Sequence, residues 1–167
     1  MGIKIYFAGP LFTTYERDWI TQTAKALRGA GFDPFVPIEN EFHPEDFPEL
    51  TRQKLCFDKD FSGIHSANVL FVNLNGYEVD DGTSTEIGVF YALAKSDPAR
   101  KGIIAYHDDW RAQSGGDGKG LNLFVRGCIE DIGFITSNLD EAIAQISQWQ
   151  TELAADGLLD GILAQGK

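Results

Sequence analysis

The protein has 167 residues, of which 25 are acidic and 14 are basic, so its formal net charge is −11. This length fits one domain, and a hydrophobic content of 43% is too high for a disordered acidic chain. The negative charge, with no long cluster of lysine and arginine, argues against nucleic-acid and anionic-membrane partners, because both bind through neutralisation of phosphates.

The first part of the chain predicts a strand, a helix and a second strand. Residues 3–8 form an apolar run before a Gly-Pro pair, which is typical of a buried strand that ends in a turn. Thr13 and Glu16 have the spacing of a capping box, and glycines at positions 29 and 31 end the helix that begins there. A short second strand is expected at residues 32–36.

The middle of the chain predicts a helix, a strand and another helix. Residues 49–64 suit a helix with an imperfect apolar stripe. The stripe consists of Leu50, Phe57, Phe61 and Ile64. Residues 68–74 are the clearest strand, because a continuous apolar run indicates a strand that is covered on both faces. A glycine-containing turn then leads to a helix at residues 84–95.

The last part continues the alternation. A strand at 102–106, a polar loop at 107–120, a short helix at 121–130, a strand at 133–136 and a helix from residue 138 are expected. Alternating strands and helices predict an α/β fold, in which a mostly parallel, doubly wound sheet carries helices on both faces.

We expect one domain over residues 1–150 and a weakly anchored C-terminal helical extension or tail over residues 151–167. The chain begins directly with a strand, and no apolar run approaches the roughly 18 residues that a membrane span requires. These features predict a soluble, cytoplasmic protein.

The cysteines and histidines favour neither a disulfide nor a metal site. Cys56 and Cys128 lie far apart in apolar stretches, so both are expected to be ordinary buried thiols in a reducing compartment. The histidines are scattered without metal-ligand spacing. They are His43, His65 and His107.

Ligands of such sheets bind beyond the carboxyl ends of the strands. This rule selects the loops at residues 9–14 and 75–83 and the loop after the fourth strand. No glycine-rich phosphate motif follows the first strand, and the nearby charges are mostly acidic. We therefore expect an acidic site for a neutral or cationic ligand.

The segment 80–88 permits two interpretations. Thr83 and Glu86 have capping-box spacing, so Glu86 could simply belong to a helix start, and Asp80 and Asp81 also favour a helix N-terminus. Gly82 would then need no explanation beyond a turn with positive φ. The alternative is that the same carboxylates form an active site.

Four short blocks along residues 3–136 favour the second interpretation. They are YFAGPLF at 6–12, D-x-D-F-x-G-I at 58–64, D-x-G-T-x-x-E-I-G at 80–88 and L-N-L at 121–123. Each block is a weak signal, whereas four in this order are fairly specific. Together they resemble the nucleoside 2-deoxyribosyltransferase family.

The resemblance implies a flavodoxin-like sheet of five parallel strands and exchange of the base on a 2'-deoxynucleoside. Glu86 matches the nucleophilic glutamate, and Tyr6 matches the tyrosine that orients it. Asp60 matches the aspartate that holds the 3'-hydroxyl, and Asp80 matches the carboxylate that faces the nucleobase. Asn122 matches the asparagine that reaches the 5'-hydroxyl from a neighbouring subunit.

Three further residues complete the binding site that the resemblance implies. Phe12 would line the base pocket, and Gly9 and Gly82 would adjoin the substrate, whereas Asp81 has no firm counterpart. The implied partners are 2'-deoxynucleosides, free nucleobases and further copies of the chain in a homo-oligomer. The mechanism needs no metal and no organic cofactor.

The chemistry is consistent with these residue types. A carboxylate can stabilise the oxocarbenium-like transition state and then capture C1', as in a retaining glycosidase. Asp80 is the candidate proton donor to the leaving base, because clustered carboxylates raise one another's pKa. A 2'-hydroxyl would withdraw electrons from the cation and crowd Glu86, so 2'-deoxy substrates are expected.

Two alternatives remain open at this stage. One is a hydrolase of 2'-deoxynucleosides or their 5'-monophosphates, which needs a phosphate seat for which Arg17 and Arg126 are the basic candidates. The other is a non-catalytic nucleoside sensor in which Glu86 is only a helix cap. The sequence leaves base specificity and the roles of residues 108–120 and 151–167 undecided.

Overall fold

The computed structural model describes residues 2–40, 49–110 and 121–159. Its strands form one parallel sheet in the order β2-β1-β3-β4-β5. The strands are β1 (Lys4–Ala8), β2 (Asp33–Phe35), β3 (Val69–Asn73), β4 (Gly102–Tyr106) and β5 (Phe134–Thr136). The strand order reverses direction between β1 and β3, so the predicted doubly wound, flavodoxin-like sheet of five parallel strands is confirmed.

Helices cover both faces of this sheet, as predicted. They are α1 (Thr14–Gly29), α2 (Arg52–Ser66), α3 (Asp81–Ala94), α4 (Leu123–Ile132) and α5 (Leu139–Ala155), with a short 3-10 helix at Pro37–Glu39. Buried side chains of α1 and α5 pack on one face, and those of α2, α3 and α4 pack on the other.

The alternation of side chains along β1 places one functional candidate beneath α2 and α3. Ile5 and Phe7 belong to the core under α1 and α5, whereas Tyr6 and Ala8 belong to the opposite core. All five residues of β3 are buried, which explains the continuous apolar run there. The central strands are thus a rigid base for the side chains that face the second core.

The helix starts confirm one prediction and correct another. Thr13 caps α1, and both hydrogen bonds of its capping box with Glu16 are present. However, α3 begins at Asp81 rather than Ser84, because Asp80 is its N-cap and accepts a 3.0 Å hydrogen bond from the Thr83 amide. Glu86 therefore lies in the second turn of α3, too far along the helix to act as its cap.

The C-terminal boundary expected at residue 150 falls inside α5, which continues to Ala155. Leu153 is fully buried, and Leu158 and Leu159 pack against the same core. The chain is therefore packed against the core as far as residue 159, whereas weak anchoring was expected for the segment that begins at residue 151. Residues 111–120 and 160–167, parts of the two segments whose roles the sequence leaves undecided, lie outside the described residues. Within the described ranges, no helix is long and apolar enough to span a bilayer.

Candidate active site

A cavity of about 380 Å³ opens between α2 and the N-terminal half of α3. Its wall is formed by Phe57, Asp60, Phe61, Ile64, Asp81, Gly82, Thr85, Glu86 and Val89. Three carboxylates thus face an otherwise largely apolar space. A second cavity of about 390 Å³ lies beside β1 and β2 around Arg28, and it contains none of the predicted site residues.

The two side chains with the most specific predicted roles are in direct contact. The Tyr6 hydroxyl of β1 donates a hydrogen bond of 2.5 Å to Oε1 of Glu86 on α3, across 80 residues of sequence. Tyr6 is fully buried. Its burial and the neighbouring Glu86 charge raise the pKa of its hydroxyl, so Tyr6 remains a protonated donor at all physiological pH values.

Glu86 combines burial with access to the cavity. Removal from water raises the pKa of its carboxyl to about 7, and the charges of Asp60 and Asp80 act in the same direction. The Tyr6 hydrogen bond opposes this shift by stabilising the carboxylate. Near neutral pH Glu86 therefore exists in both protonation states, which is typical of a catalytic group.

Asp60 lies on the α2 side of the cavity, one turn after Cys56. Burial raises the pKa of its carboxyl, while the thiol of Cys56 donates a 3.3 Å hydrogen bond to Oδ2 and opposes the shift. Cys56 is exposed and Cys128 is buried, so the prediction of two buried thiols is wrong for Cys56. The apolar residues next to Cys56 in the sequence suggested burial, whereas this turn of α2 lies beside the cavity.

Asp80 and Asp81, at the start of α3, lie in different environments. The Asp80 carboxylate accepts hydrogen bonds from the Thr83 amide at 3.0 Å and the Thr83 hydroxyl at 3.3 Å, and it is not part of the cavity wall. Asp81 lies on that wall, although nothing in the sequence favours it over Asp80. Asp80 is nevertheless close enough to raise the pKa of Glu86 by its charge.

Gly82 also lines the cavity, in the first turn of α3. It is absent from the glycines with positive φ, so the explanation by a left-handed turn is wrong. A Cβ at this position would lie 3.0 Å from Oδ2 of Asp80. The lack of a side chain therefore leaves room beside the Asp80 carboxylate.

Three predicted binding residues lie outside the cavity wall. Phe12 is 71% exposed, and Asn122 is an exposed residue that caps α4 through the amides of Phe124 and Val125. Gly9 packs against β3, where a Cβ would lie 2.9 Å from Cβ of Asn73. The substrate-binding roles of these residues stay predictions.

Two aromatic side chains of the cavity were missed as functional candidates. Phe57 and Phe61 stack with ring centroids 5.5 Å apart and planes at 18°, and they are 60% and 40% exposed. Their positions in the imperfect stripe of α2 were the available signal. Of that stripe only Ile64 is buried, since Leu50 precedes the first residue of α2 and the two aromatic residues line the cavity.

A carboxylate–tyrosine pair at a cavity of a doubly wound α/β fold defines this protein as a candidate acid–base or nucleophilic enzyme. The sequence model of the family described as nucleoside 2-deoxyribosyltransferase matches residues 5–134. The chain therefore belongs to the nucleoside 2-deoxyribosyltransferase family, and this membership supports a deoxyribosyltransferase-type enzyme.

Two proteins whose names state no activity are similar to this chain over most of its length. An uncharacterized protein of Ureaplasma parvum is 30% identical over 142 residues, which cover 76% of this chain and 83% of the relative. A crystal structure of a conserved protein from Enterococcus faecalis has a TM-score of 0.73 at 24% identity and covers 89% of this chain and 99% of its own.

Two solved structures similar to this chain are 2-deoxyribosyltransferases. The protein from Bacillus psychrosaccharolyticus has a TM-score of 0.61 at 23% identity, with coverage of 86% of this chain and 95% of its own. The protein from Leishmania mexicana has a TM-score of 0.59 at 20% identity, with coverage of 87% and 97%. At these identities the structural similarity supports the fold.

Proposed function

We propose that this protein exchanges the nucleobase of 2'-deoxyribonucleosides through a covalent deoxyribosyl ester on Glu86, in nucleoside salvage. The observation that carries the proposal is the partly buried Glu86 carboxylate, which faces the cavity and accepts the Tyr6 hydrogen bond. Tyr6 restricts the orientation of the carboxylate and stabilises its charged form.

The reaction consists of two displacements at C1'. In the first, an oxygen of ionised Glu86 forms a bond to C1' while the C1'–N bond breaks and the base leaves with a proton from a neighbouring acid. In the second, a nitrogen of the incoming base attacks C1' and gives its proton to the acid that lost one in the first step, while the ester bond breaks and Glu86 regains its charge. Two inversions give net retention.

The proton for the leaving base comes from Asp80 in this proposal. Asp81 is the alternative, because it lies on the cavity wall. We expect Asp80→Asn to lower kcat by about 10²-fold, since general acids contribute roughly that much or more, and Asp81→Asn to leave kcat nearly unchanged. Asparagine caps helices as well as aspartate does, so the start of α3 is preserved. Steady-state kinetics of both variants decide between them, and the reverse pattern would assign the proton to Asp81.

The charges around the cavity support an uncharged nucleoside as substrate rather than a 5'-monophosphate. No lysine or arginine occurs among the described residues of its wall. Arg17 donates to the carbonyl oxygens of Leu11 and Phe12, and Arg126 donates to Glu130. The basic candidates for a phosphate seat are therefore engaged elsewhere.

We also propose a homo-oligomer in which Asn122 contributes to a neighbouring site. The two residues after Asn122, Leu123 and Phe124, are 74% and 79% exposed although both are large and apolar. Such side chains are typical of contact surfaces. A sedimentation measurement that finds only monomers at working concentrations would contradict this part of the proposal.

Incubation of the protein with 2'-deoxyinosine and adenine, followed by chromatography, tests the proposed reaction. We expect 2'-deoxyadenosine and hypoxanthine in equal amounts. Release of hypoxanthine without 2'-deoxyadenosine would instead identify a hydrolase. Binding of the nucleoside without turnover would identify a sensor.

The pH dependence of kcat/KM tests the role of Glu86, because only its ionised form is nucleophilic. We expect kcat/KM to fall as the pH drops below about 7, the pKa of this carboxyl. Tyr6→Phe removes a hydrogen bond that lowers this pKa, so its acid limb should move to higher pH. Asp60→Asn removes a charge that raises the pKa, so its acid limb should move to lower pH. If the acid limbs of the two variants move in the same direction, the assignment of this limb to the ionisation of Glu86 is contradicted.

A further inference from the structure

The Tyr6 ring packs against two residues that belong neither to the wall of the cavity that contains Glu86 nor to the predicted site residues. On one side, Phe35 at the end of β2 stacks on it with ring centroids 5.5 Å apart and planes at 14°. Gly63 of α2 packs against the neighbouring edges of both rings, at Cδ2 and Cε2 of Tyr6 and Cε1 of Phe35. The hydroxyl at the far end of the same ring reaches Glu86.

Gly63 allows a contact that any other residue would prevent. A Cβ at this position would lie 2.9 Å from both Cδ2 and Cε2 of Tyr6 and 3.0 Å from Cε1 of Phe35. Real Cβ atoms do not approach other carbon atoms so closely, and the neighbouring atoms belong to stacked rings rather than to flexible chain ends.

The glycine is unfavourable for the helix that contains it. Gly63 is buried within α2, where glycine destabilises a helix by roughly 0.5–1 kcal/mol relative to alanine. Its φ is not in the left-handed region, so backbone conformation does not require glycine there. The close approach to Tyr6 is the remaining physical reason for this residue.

We propose that Gly63 and Phe35 are positioning residues: Phe35 stacks on the Tyr6 ring, α2 packs closely on both rings at Gly63, and together they fix the ring so that its hydroxyl points at Glu86. This inference rests on the proposed function, because it assigns the enclosure of Tyr6 to catalysis. A methyl group at position 63 would force the ring away from α2 or force α2 away from the sheet. Either movement lengthens the Tyr6–Glu86 hydrogen bond, and the second also displaces Asp60, one turn earlier on the helix.

The test compares Gly63→Ala and Phe35→Leu with Gly29→Ala as a matched control. Gly29 lies at the exposed end of α1, where an added Cβ has no atom within 4 Å. Titration of the Glu86 carboxyl carbon by ¹³C NMR, with the resonance assigned by its loss in Glu86→Gln, measures the effect without turnover. The pH dependence of kcat/KM is measured in parallel.

Gly63→Ala should move the midpoint of the Glu86 titration to higher pH by about one pH unit, as expected for loss of a hydrogen bond to a charged group. The acid limb of kcat/KM should move with it. Phe35→Leu should act in the same direction by less, and Gly29→Ala should leave both unchanged. If Gly63→Ala does not fold, the Glu86 titration midpoint of Phe35→Leu decides whether the proposal holds.

A folded Gly63→Ala that titrates at the wild-type midpoint would overturn the proposal, as would an unchanged Phe35→Leu where the glycine variant cannot be obtained. Failure of the proposed function is a separate result. In that case the wild-type protein performs no base exchange, while the Glu86 midpoint still responds to Gly63→Ala.

Discussion

Glu86→Gln should reduce base exchange between 2'-deoxyinosine and adenine by at least about 10³-fold, since removal of a nucleophile in a covalent mechanism has effects of that size or larger. Glutamine has nearly the same shape, and its amide oxygen can still accept the hydrogen bond from Tyr6. The variant therefore preserves the local packing and removes the charge and the nucleophilic oxygen. Chromatography of the exchange reaction measures the loss.

Glu78→Gln is the control for this prediction, because Glu78 is exposed just before the α3 cap and lies outside the cavity wall. It should retain wild-type exchange. Retention of more than about a tenth of the activity by Glu86→Gln would show that another group attacks C1', because a tenfold loss corresponds to only about 1.4 kcal/mol.

The same substitution should stabilise the folded protein at alkaline pH. Folding raises the pKa of Glu86 from 4.5 to about 7, so the folded state holds this proton more tightly than the unfolded state. Its favourable contribution is complete below about pH 4.5 and is lost as the pH rises through 7. Above that range, ionised Glu86 costs up to about 3 kcal/mol of stability.

Glutamine carries no such cost at any pH. We therefore expect Glu86→Gln to have a higher free energy of unfolding than the wild type at about pH 8, by up to about 3 kcal/mol, and a nearly equal value at about pH 4.5. Urea denaturation at the two pH values measures this difference. A variant that is less stable than the wild type at alkaline pH would show that Glu86 is not a strained, desolvated acid in the folded protein.

Much of the fold could be predicted from local patterns. The apolar run around Val69–Asn73 and the capping box at Thr13 depend on neighbouring residues, and both occur as predicted. The start of α3 was misplaced because Asp80 and Thr83 both have capping chemistry, and only tertiary packing selects between them. The anchoring of Leu153 depends on a distant core and leaves little local signal.

The site could be predicted only in part, because its residues come from separate elements. The resemblance assigned Tyr6 and Glu86 to the same site, and the hydrogen bond between them agrees with that assignment. It included Gly63 in the block at 58–64 but assigned it no role, because the contact with Tyr6 depends on how closely α2 crosses the sheet. No role was assigned to Phe57 or Phe61, because exposed aromatic residues at helical spacing resemble an incomplete core face.

The most direct test of the account is the mass of the peptide that contains Glu86 after reaction with a 2'-deoxynucleoside and an acid quench. We predict that this peptide gains one deoxyribosyl group, and that a free base added before the quench removes it. Base exchange that proceeds without this modification, or with the modification on another side chain, would contradict the role of Glu86 as the nucleophile.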